Sequence, residues 1–583
     1  MSATGDQARE NVGRSIAALV HDGFDRFYGE FHRITRDARR KFDAGEWTLV
    51  HDLHHQRIDL YVRYVTQTLV TLRPTTRAYP QDLEVWQAAH RAYAELTRGR
   101  VDFEVAETFF NAITRKIFQT VGVNREIEFL EREFDTRSGG PLPGQIHRVE
   151  AQDLVDMLCD ALKQARPPIH WQDLRGDAAW LAERVLEHAR AGGLPARLDH
   201  VDVLRPLFFR AREGYIVARA HVGDAMFPLL IPIQPTPTGM VVDGALFDEA
   251  SALQVFSSTR SYFFVDVLRP ADVVDFLGSL MPQLTESELY IAIAHHRHGK
   301  TLIHRELVAH LHESSDQFIM APGIAGLVMT VFTLPSYRNV FKVIRDRFDK
   351  PTATREGILR SYRDVFRGRR VGRLADTQEF EHLAFERRRF TDACLAELLA
   401  KAPSSIRVEG DSVVVSHLYI EEKMTPLNIY LTQASPEAAA RAIVDYGDAI
   451  AELAANDIFA GDLLWKNFGV TRHERLVLYD YDEISPLLEC NFRRIPKARS
   501  YEDELSDQPY YAVADSDVFP EEWAPFIVPS DPALRAAFLG AHAALLTPEF
   551  WQQRQRQVIA GELAIGLPYA PRFPALQPEP TTA

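Results

Sequence analysis

The sequence predicts an α+β protein, with a mostly helical half over residues 1–313 and a half of mixed strands and helices over residues 314–583. In the first half, apolar residues recur every three or four positions and mark one face of an amphipathic helix, as at Ile58, Tyr61, Val62, Val65 and Leu69. In the second half, apolar runs of strand length alternate with turn residues. A chain of 583 residues also exceeds the usual size of one domain, so at least two domains are expected.

The predicted elements follow from these patterns in chain order. Within the helical half, residues 216–234 and the Pro-containing turn after them predict a small strand-and-turn insert. In the second half, residues 326–334 and 339–344 predict two strands joined as a hairpin by the turn at 335–338. Further along, the patterns predict a strand at 412–420, helical segments over 436–456 and a strand at 475–479.

Charge and cysteine content exclude several classes of function. The chain has 66 Lys and Arg against 81 Asp and Glu, and its net charge of −15 repels nucleic-acid backbones and anionic lipid. Cys159, Cys394 and Cys490 lie far apart, so neither a disulfide framework nor a cysteine zinc site is indicated. The N-terminal residues lack the pattern of a signal peptide, and no apolar run approaches the length of a membrane span. We therefore expect a cytoplasmic protein with neither a nucleic-acid nor a membrane partner.

Two features at the start of the second half are typical of a nucleotide site. A turn at residues 321–327 contains Gly323 and Gly326, which would let backbone N–H groups approach phosphate oxygens. Sixteen residues after Gly326, Lys342 is a lone cation in an apolar strand; if buried, it needs an anion such as a phosphate or a helix glutamate. Glu356 is a candidate for that glutamate. Taken alone, these features fit equally an ordinary hairpin turn and an edge-strand lysine.

Two acidic segments follow in the order that phosphoryl transfer requires. Asp462 and Asn467 have the spacing of a phosphotransferase catalytic loop, where the aspartate accepts the proton of the attacking hydroxyl and the asparagine holds Mg²⁺. Thirteen residues after Asn467, a strand ends at Asp480, the position of a metal-binding aspartate; Asp482 and Glu483 follow and add negative charge.

Together, these four features predict a bilobal protein-kinase-like domain, because their order agrees with one fold. The N-lobe is expected over about 314–420 and the C-lobe over about 425–583, with residues 421–424 as the hinge that contacts adenine. The predicted chemistry is in-line transfer of the ATP γ-phosphoryl group to a hydroxyl.

Four strings extend this interpretation: residues 321–327, 333–342, 371–380 and 480–483. They resemble the bacterial isocitrate dehydrogenase kinase/phosphatase family, and the resemblance covers nearly the whole chain. It implies an enzyme that phosphorylates an active-site serine of NADP-dependent isocitrate dehydrogenase and removes the same phosphate. Such an enzyme inactivates and reactivates the dehydrogenase, and so controls carbon flow between the citric acid cycle and the glyoxylate bypass.

The resemblance also assigns roles to individual residues. It places the kinase base at Asp462 and the metal ligands at Asn467 and Asp480, and it links Asp376, Asp482 and Glu483 to dephosphorylation. It places the nucleotide-binding lysine at Lys342 and the ATP-binding loop at Ala321, Pro322, Gly323, Ile324, Ala325, Gly326 and Leu327. It further implies ATP, Mg²⁺ or Mn²⁺, ADP, and AMP as an allosteric effector bound between the two halves, although it does not place the residues of the AMP pocket.

Two alternatives come from other classes. Residues 461–463 also resemble the catalytic loop of small-molecule kinases such as aminoglycoside phosphotransferases; the large helical half favours a protein substrate over a metabolite. A non-catalytic ATP-sensing scaffold would lack an essential part, whereas lysine, base, asparagine and metal-binding aspartate are all present. The oligomeric state stays open, with a homodimer as one alternative.

Overall fold

The structure is a computed structural model, and it describes residues 3–130, 141–164, 170–195, 197–210, 213–257, 262–350, 353–367, 372–496, 511–560, 567 and 569–573. The helical half opens with four helices in which α2, α3 and α4 all pack against α1. These helices are α1 (Ala3–Asp43), α2 (Trp47–Thr76), α3 (Leu83–Thr97) and α4 (Phe103–Phe118). The amphipathic face predicted around Ile58 lies on α2, where Ile58, Tyr61 and Val65 are buried.

The helical half also contains a six-stranded antiparallel sheet, larger than the predicted insert. The strand order is β1-β2-β4-β5-β6, and β3 pairs with β4. The prediction was too small because β4 and β5 are buried along most of their length and so lack the alternation that marks a half-exposed strand. The strands are β1 (Ile146–Val149), β2 (His200–Leu204), β3 (Phe208–Arg210), β4 (Glu213–Val222), β5 (Ala225–Thr236) and β6 (Gly239–Val242).

The described residues of this half include six further helices. They are α5 (Leu154–Gln164), α6 (Leu174–Ala191), α7 (Glu249–Phe256), α8 (Pro270–Leu280), α9 (Glu286–Ala292) and α10 (His296–Glu313). Helix α9 begins with a capping box, in which Thr285 and Glu288 satisfy each other's backbone N–H groups. Among the described residues, no helix is both long and apolar enough to cross a membrane.

The N-lobe is built on a second six-stranded sheet in the order β10-β12-β9-β8-β7, with β11 paired to β12. The predicted hairpin is confirmed, because β8 and β9 pair antiparallel across residues 329–344. The strands are β7 (Ile319–Met320), β8 (Met329–Thr333), β9 (Asn339–Ile344), β10 (Thr377–Glu386), β11 (Ile406–Glu409) and β12 (Ser412–Glu422). Two helices accompany them, α11 (Arg355–Arg367) and α12 (Asp392–Lys401).

The C-lobe follows directly after β12 and is mainly helical, with short strand pairs around the cleft between the lobes. Its helices are α13 (Leu427–Gln433), α14 (Pro436–Ala454), α15 (Ala524–Ile527), α16 (Pro532–His542) and α17 (Pro548–Ile559). Its strands are β13 (Thr425–Pro426), β14 (Ile458–Phe459), β15 (Phe468–Val470), β16 (Leu476–Leu478), β17 (Ser485–Pro486), β18 (Asn491–Phe492) and β19 (Asp517–Val518). The predicted helix at 436–456 and the strand at 475–479 are confirmed, and so is the α+β class.

Two large apolar cores explain how the halves fit together. One core runs from the helices of the first half into the N-lobe sheet, where it includes Phe341, Leu418 and Ile420. The other core fills the C-lobe. The N-lobe therefore packs as part of one body with the helical half, and the cleft lies where this body meets the C-lobe.

A buried arginine joins the segment before β10 to the C-lobe. Arg373 is 2% exposed, and its guanidinium contacts Asp445 at 2.7 Å and Glu452 at 2.8 Å on α14. It also donates to the Leu476 carbonyl at 3.0 Å, and the Leu478 N–H donates to the Arg373 carbonyl at 2.8 Å. These contacts fix β16, the strand that leads into Asp480.

We expect Arg373→Met to lower the free energy of unfolding by about 3 to 5 kcal/mol, because it leaves Asp445 without its cation and, among the described ion pairs, Glu452 with only Arg475, at 3.4 Å. The measurement is a urea unfolding curve of the full chain. Arg388→Met is the matched control, since Arg388 is exposed and pairs only with Glu386 among the contacts described for it. An equal unfolding midpoint for the two variants would contradict the assigned role of Arg373.

Candidate active site

A cavity of about 770 Å³ lies between the N-lobe sheet and the C-lobe. This volume is within the range of small-molecule sites. The whole predicted loop at 321–327 lines the cavity, together with the predicted residues Lys342, Asp462, Asn467, Asp480, Asp482 and Glu483. Residues far apart in the sequence are thus brought to one cleft.

Lys342 is buried at the back of this cleft and carries its own counter-ion. Its Nζ lies 2.6 Å from Glu421 Oε2 on the neighbouring strand β12 and donates to the Tyr479 carbonyl at 2.9 Å. Burial raises the pKa of Glu421, and the Lys342 charge opposes that rise. The candidate Glu356 is not the partner: it is exposed on α11, whereas pairing between β9 and β12 places Glu421 beside the lysine.

The catalytic loop is held in one conformation by its own hydrogen bonds. The Leu464 N–H donates to Asp462 Oδ1 at 2.9 Å, and the Asn467 side-chain amide donates to the Asp462 carbonyl at 3.3 Å. Gly461 has a φ of 72°, and a Cβ there would collide with the backbone of Glu483. The loop can therefore lie against the acidic segment only because residue 461 is glycine.

The acidic segment concentrates negative charge at the floor of the cleft. Asp480 follows β16, and the Asp482 N–H lies 3.4 Å from Asp480 Oδ1. Burial, and then the Asp480 carboxylate, raise the pKa of Asp482 to about 7, while Lys350 and Lys342 oppose the rise. Lys350 forms an ion pair with Glu483 across the mouth of the cleft.

These residues fit a divalent cation. Carboxylate and amide oxygens are the ligands that Mg²⁺ prefers, and Asn467, Asp480 and Asp482 supply them on one cavity wall. Burial, and then the neighbouring Asp480 carboxylate, disfavour the charged form of Asp482, and a bound cation would favour it.

Asp376 is the one predicted site residue, among those described, that does not line the cavity. It lies just before β10 and accepts a hydrogen bond from the Gln378 side chain at 3.0 Å. The preceding residue, Ala375, is tied to the C-lobe, because its carbonyl accepts from Tyr481 at 2.6 Å and its N–H donates to Leu478 at 2.9 Å. Asp376 therefore stands beside the acidic segment, behind the cavity wall.

The segment predicted as the hinge does connect the lobes. Strand β12 ends at Glu422, and residues 423 and 424 lead directly into β13 of the C-lobe. The Lys423 N–H donates to the Arg338 carbonyl at 2.7 Å, while Glu422 and Met424 line the cavity. Contact with adenine stays a prediction.

Sequence reasoning missed three cations of the cleft. Arg345, Lys350 and Lys466 all line the cavity. Lys466 lies between Asp462 and Asn467, so its place in the catalytic loop was a usable signal. Lys350 lies in a polar stretch without periodicity, and only the tertiary fold brings it to Glu483.

A second cavity, of about 440 Å³, lies between the helical half and β10. Arg115, Arg297 and Lys300 give it a basic wall, and residues 379–383 of β10 form the opposite wall. Burial, and then Arg297, lower the pKa of Lys300 to about 7. An anion entering this cavity would meet a lysine whose charge it stabilises.

One further cluster has ligand-like side chains. His200, Asp202 and His221 lie on neighbouring strands of the first sheet, with their nearest polar atoms within 4.8 Å of one another. Arg148 and Arg219 already contact the Asp202 carboxylate at 3.0 and 3.1 Å. The carboxylate is thus balanced by two guanidinium groups, and ion pairing accounts for the cluster.

Comparison with known families covers almost the entire chain. Residues 17–315 match the family model for the "Isocitrate dehydrogenase kinase/phosphatase (AceK), regulatory domain". Residues 316–571 match the model for the "Isocitrate dehydrogenase kinase/phosphatase (AceK) kinase domain".

Individual relatives agree with the family models. A protein named isocitrate dehydrogenase kinase/phosphatase from Anaeromyxobacter dehalogenans is 39% identical over 96% of this chain and 97% of its own length. Proteins of the same name from Cupriavidus taiwanensis and Polaromonas naphthalenivorans are 38% and 37% identical over 95% and 96% of this chain, and over 92% and 96% of their own lengths. The chain therefore belongs to the isocitrate dehydrogenase kinase/phosphatase family.

Proposed function

We propose that the protein is a cytoplasmic, bifunctional enzyme that uses ATP to phosphorylate a serine of NADP-dependent isocitrate dehydrogenase and also removes that phosphate. Membership of the family supports both activities and the protein substrate. The observation that carries the proposal is the convergence of Lys342, Asp462, Asn467 and Asp480 on one cavity. Inactivating and reactivating the dehydrogenase would direct carbon between the citric acid cycle and the glyoxylate bypass.

In the kinase direction, the γ-phosphoryl group moves from ATP to the serine oxygen, the serine proton passes to Asp462, and ADP leaves. Leu464 holds Asp462 Oδ1, which leaves Oδ2 to orient the hydroxyl. Lys342 would neutralise charge on the ATP phosphates while Glu421 fixes its position. Asn467 and Asp480 would hold Mg²⁺, which when bound stabilises the negative charge of the phosphates.

In the phosphatase direction, the same cleft has more acidic groups than a kinase needs. Asp482 and Glu483 line it, and Asp376 lies directly behind its wall. We assign these carboxylates to the transfer of phosphate from the serine to ADP or to water.

The experiment that tests the function follows labelled phosphate. Labelled γ-phosphate should pass from ATP and Mg²⁺ to purified isocitrate dehydrogenase, and a chase with ADP and AMP should remove it. Label found on a metabolite, with none on the dehydrogenase, would contradict the proposal and favour the small-molecule kinase.

We expect Asp462→Asn to lower the rate of dehydrogenase phosphorylation by about 10²- to 10⁴-fold, because the hydroxyl loses its proton acceptor. The measurement is the initial rate of label transfer at saturating ATP. Glu489→Gln, an exposed change in the same lobe, is the control and should keep the wild-type rate. A rate for Asp462→Asn within threefold of the control would remove Asp462 from the mechanism.

We expect Asp376→Asn and Glu483→Gln to reduce label removal more than label transfer, because the kinase steps do not use these carboxylates. Both rates are measured on the same preparations, so loss of folding would lower them together. A variant that keeps full removal of the label would exclude that residue from the phosphatase reaction.

The second cavity is the site that we propose for AMP. Its position between the two halves agrees with the resemblance, and its volume and basic wall suit a nucleoside monophosphate. Lys300 lies 4.8 Å from the ring of Phe380 on β10, so a ligand there would touch both the helical half and the N-lobe.

We expect AMP binding to take up protons near pH 7 and to weaken as the pH rises above 7. The reason is that a bound phosphate raises the pKa of Lys300 from about 7, so the protonated lysine binds better. Each unit of that rise corresponds to about a tenfold change in affinity.

Calorimetry in buffers of different ionisation enthalpy measures the uptake of protons on AMP binding. Lys300→Met should abolish it, and Lys163→Met, an exposed control, should keep it.

A further inference from the structure

A carboxylate of the helical half reaches both lobes on the outer side of the hinge. Glu288 Oε1 lies 2.6 Å from Arg472 Nη2, in the C-lobe turn between β15 and β16. Glu288 Oε2 lies 3.6 Å from Arg338 Nη1, in the N-lobe turn between β8 and β9. One carboxylate thus contacts an arginine from each lobe.

Glu288 is itself held in place by the start of α9. The Thr285 N–H donates to Glu288 Oε2 at 2.7 Å, and the Thr285 hydroxyl donates to the same atom at 2.9 Å. The first of these bonds and the Glu288 N–H, which donates to Thr285 Oγ1 at 3.3 Å, form the capping box, so the carboxylate is positioned before either arginine contacts it. The Glu288 side chain is 18% exposed, which reduces screening of its ion pairs.

The contacts continue into the nucleotide cleft. Arg472 Nε lies 3.4 Å from Glu422 Oε1, and Glu422 lines the cavity next to Glu421, the partner of Lys342. On the N-lobe side, the Arg338 carbonyl accepts from the Lys423 N–H at 2.7 Å. Both arginines that meet Glu288 therefore also hold consecutive residues of the hinge.

We propose that Glu288 is a positioning residue for nucleotide binding: acting through Arg472 and Arg338, it fixes the hinge at residues 422 and 423 and so the opening of the cleft. The inference rests on the proposed function, because it takes the cleft to be a nucleotide site. It adds a route by which the helical half sets nucleotide affinity, and this route is separate from the second cavity.

The charged groups around Glu422 affect a property that can be measured, the pKa of its carboxyl group. Burial raises the pKa of Glu422 to about 7. Arg472 and Arg338 oppose the rise, whereas Glu288 and Asp376 add to it. Removing Glu288 should therefore lower the pKa of Glu422, and removing Arg472 should raise it.

The test compares ADP affinity of the full-length protein and its variants by calorimetry. Glu288→Gln keeps the capping box, since glutamine serves at that position, but removes the charge. We expect it to weaken ADP binding roughly fivefold, a small coupling between sites, and to change kcat less than twofold. Arg472→Lys keeps the charge but cannot span two carboxylates, and it should weaken binding similarly.

Arg441→Gln is the matched control. Arg441 forms an exposed ion pair at 3.6 Å with Glu474, in the same turn as Arg472, and should leave ADP affinity unchanged. The double variant of Glu288→Gln and Arg472→Lys should bind ADP no more weakly than Arg472→Lys alone, because the two substitutions interrupt the same chain of contacts.

The pH dependence of ADP affinity between pH 6 and 8.5 separates positioning from general structural damage. Its midpoint should move to lower pH in Glu288→Gln and to higher pH in Arg472→Gln. In a Glu422→Gln background, Glu288→Gln should leave the midpoint where it is.

Three outcomes are distinct. If the wild-type protein does not bind ADP, the proposed function fails. If it binds ADP and both Glu288→Gln and Arg472→Lys bind equally well, the inference is overturned while the function stands. If Glu288→Gln does not fold, the ADP affinity of Arg472→Lys and the pH midpoint of Arg472→Gln decide the matter.

Discussion

A buried cation must be paired, and Lys342 meets this requirement with groups from both sides of the cleft. Its ammonium group lies between the Glu421 carboxylate on β12 and the Tyr479 carbonyl that follows β16. The N-lobe sheet and the acidic segment are therefore joined at one atom, and this junction sets the depth of the cavity. A phosphate that enters would join an existing ion pair, so the lysine is already oriented before any ligand arrives. Glu421 depends on the lysine in turn, because burial of its carboxylate without the cation would be destabilising.

A second buried cation, Arg373, also holds strand β16 in place. Arg373 accepts the Leu478 N–H on its carbonyl and donates from its guanidinium to the Leu476 carbonyl, while α14 supplies the two carboxylates. The backbone of β16 and of Tyr479 is therefore bonded to two buried cations, Arg373 and Lys342. Asp480 follows directly, at the floor of the cleft. Carboxylates gathered within a few ångströms repel each other, and the pKa of Asp482 reflects that repulsion. The two cation networks supply the binding energy that holds such a segment together, with Lys350 balancing Glu483 at the rim.

The parts of this fold that the sequence predicted are those in which local chemistry determines structure. The β8–β9 hairpin, α14 and the order of Lys342, Asp462, Asn467 and Asp480 follow from alternation, turn residues and spacing. The sheet around β4 and β5 was underestimated because a strand buried on both faces loses its alternation. The partner of Lys342 was mistaken for Glu356 because pairing between β9 and β12 joins residues about 80 positions apart. Lys350 had no local pattern, and the Thr-x-x-Glu pattern at Glu288 indicates only the start of a helix, since the contacts of both residues form where separate elements meet.

Two of the contacts between the helical half and the N-lobe are connected through the N-lobe sheet. Residues 379–383 of β10 line the second cavity, and the Gly122 N–H donates to the His382 carbonyl at 2.7 Å. Along the β10–β12 ladder, Glu379 pairs with Tyr419 and Thr377 pairs with Glu421. Glu379 and Thr377 lie two residues apart on β10, so the backbone hydrogen bonds of this ladder connect the wall of the second cavity to Glu421, the partner of Lys342. Glu288 acts on the next residue of β12 from the opposite side. Glu421 and Glu422 of β12 are therefore the residues through which both contacts with the helical half reach the cleft between the lobes.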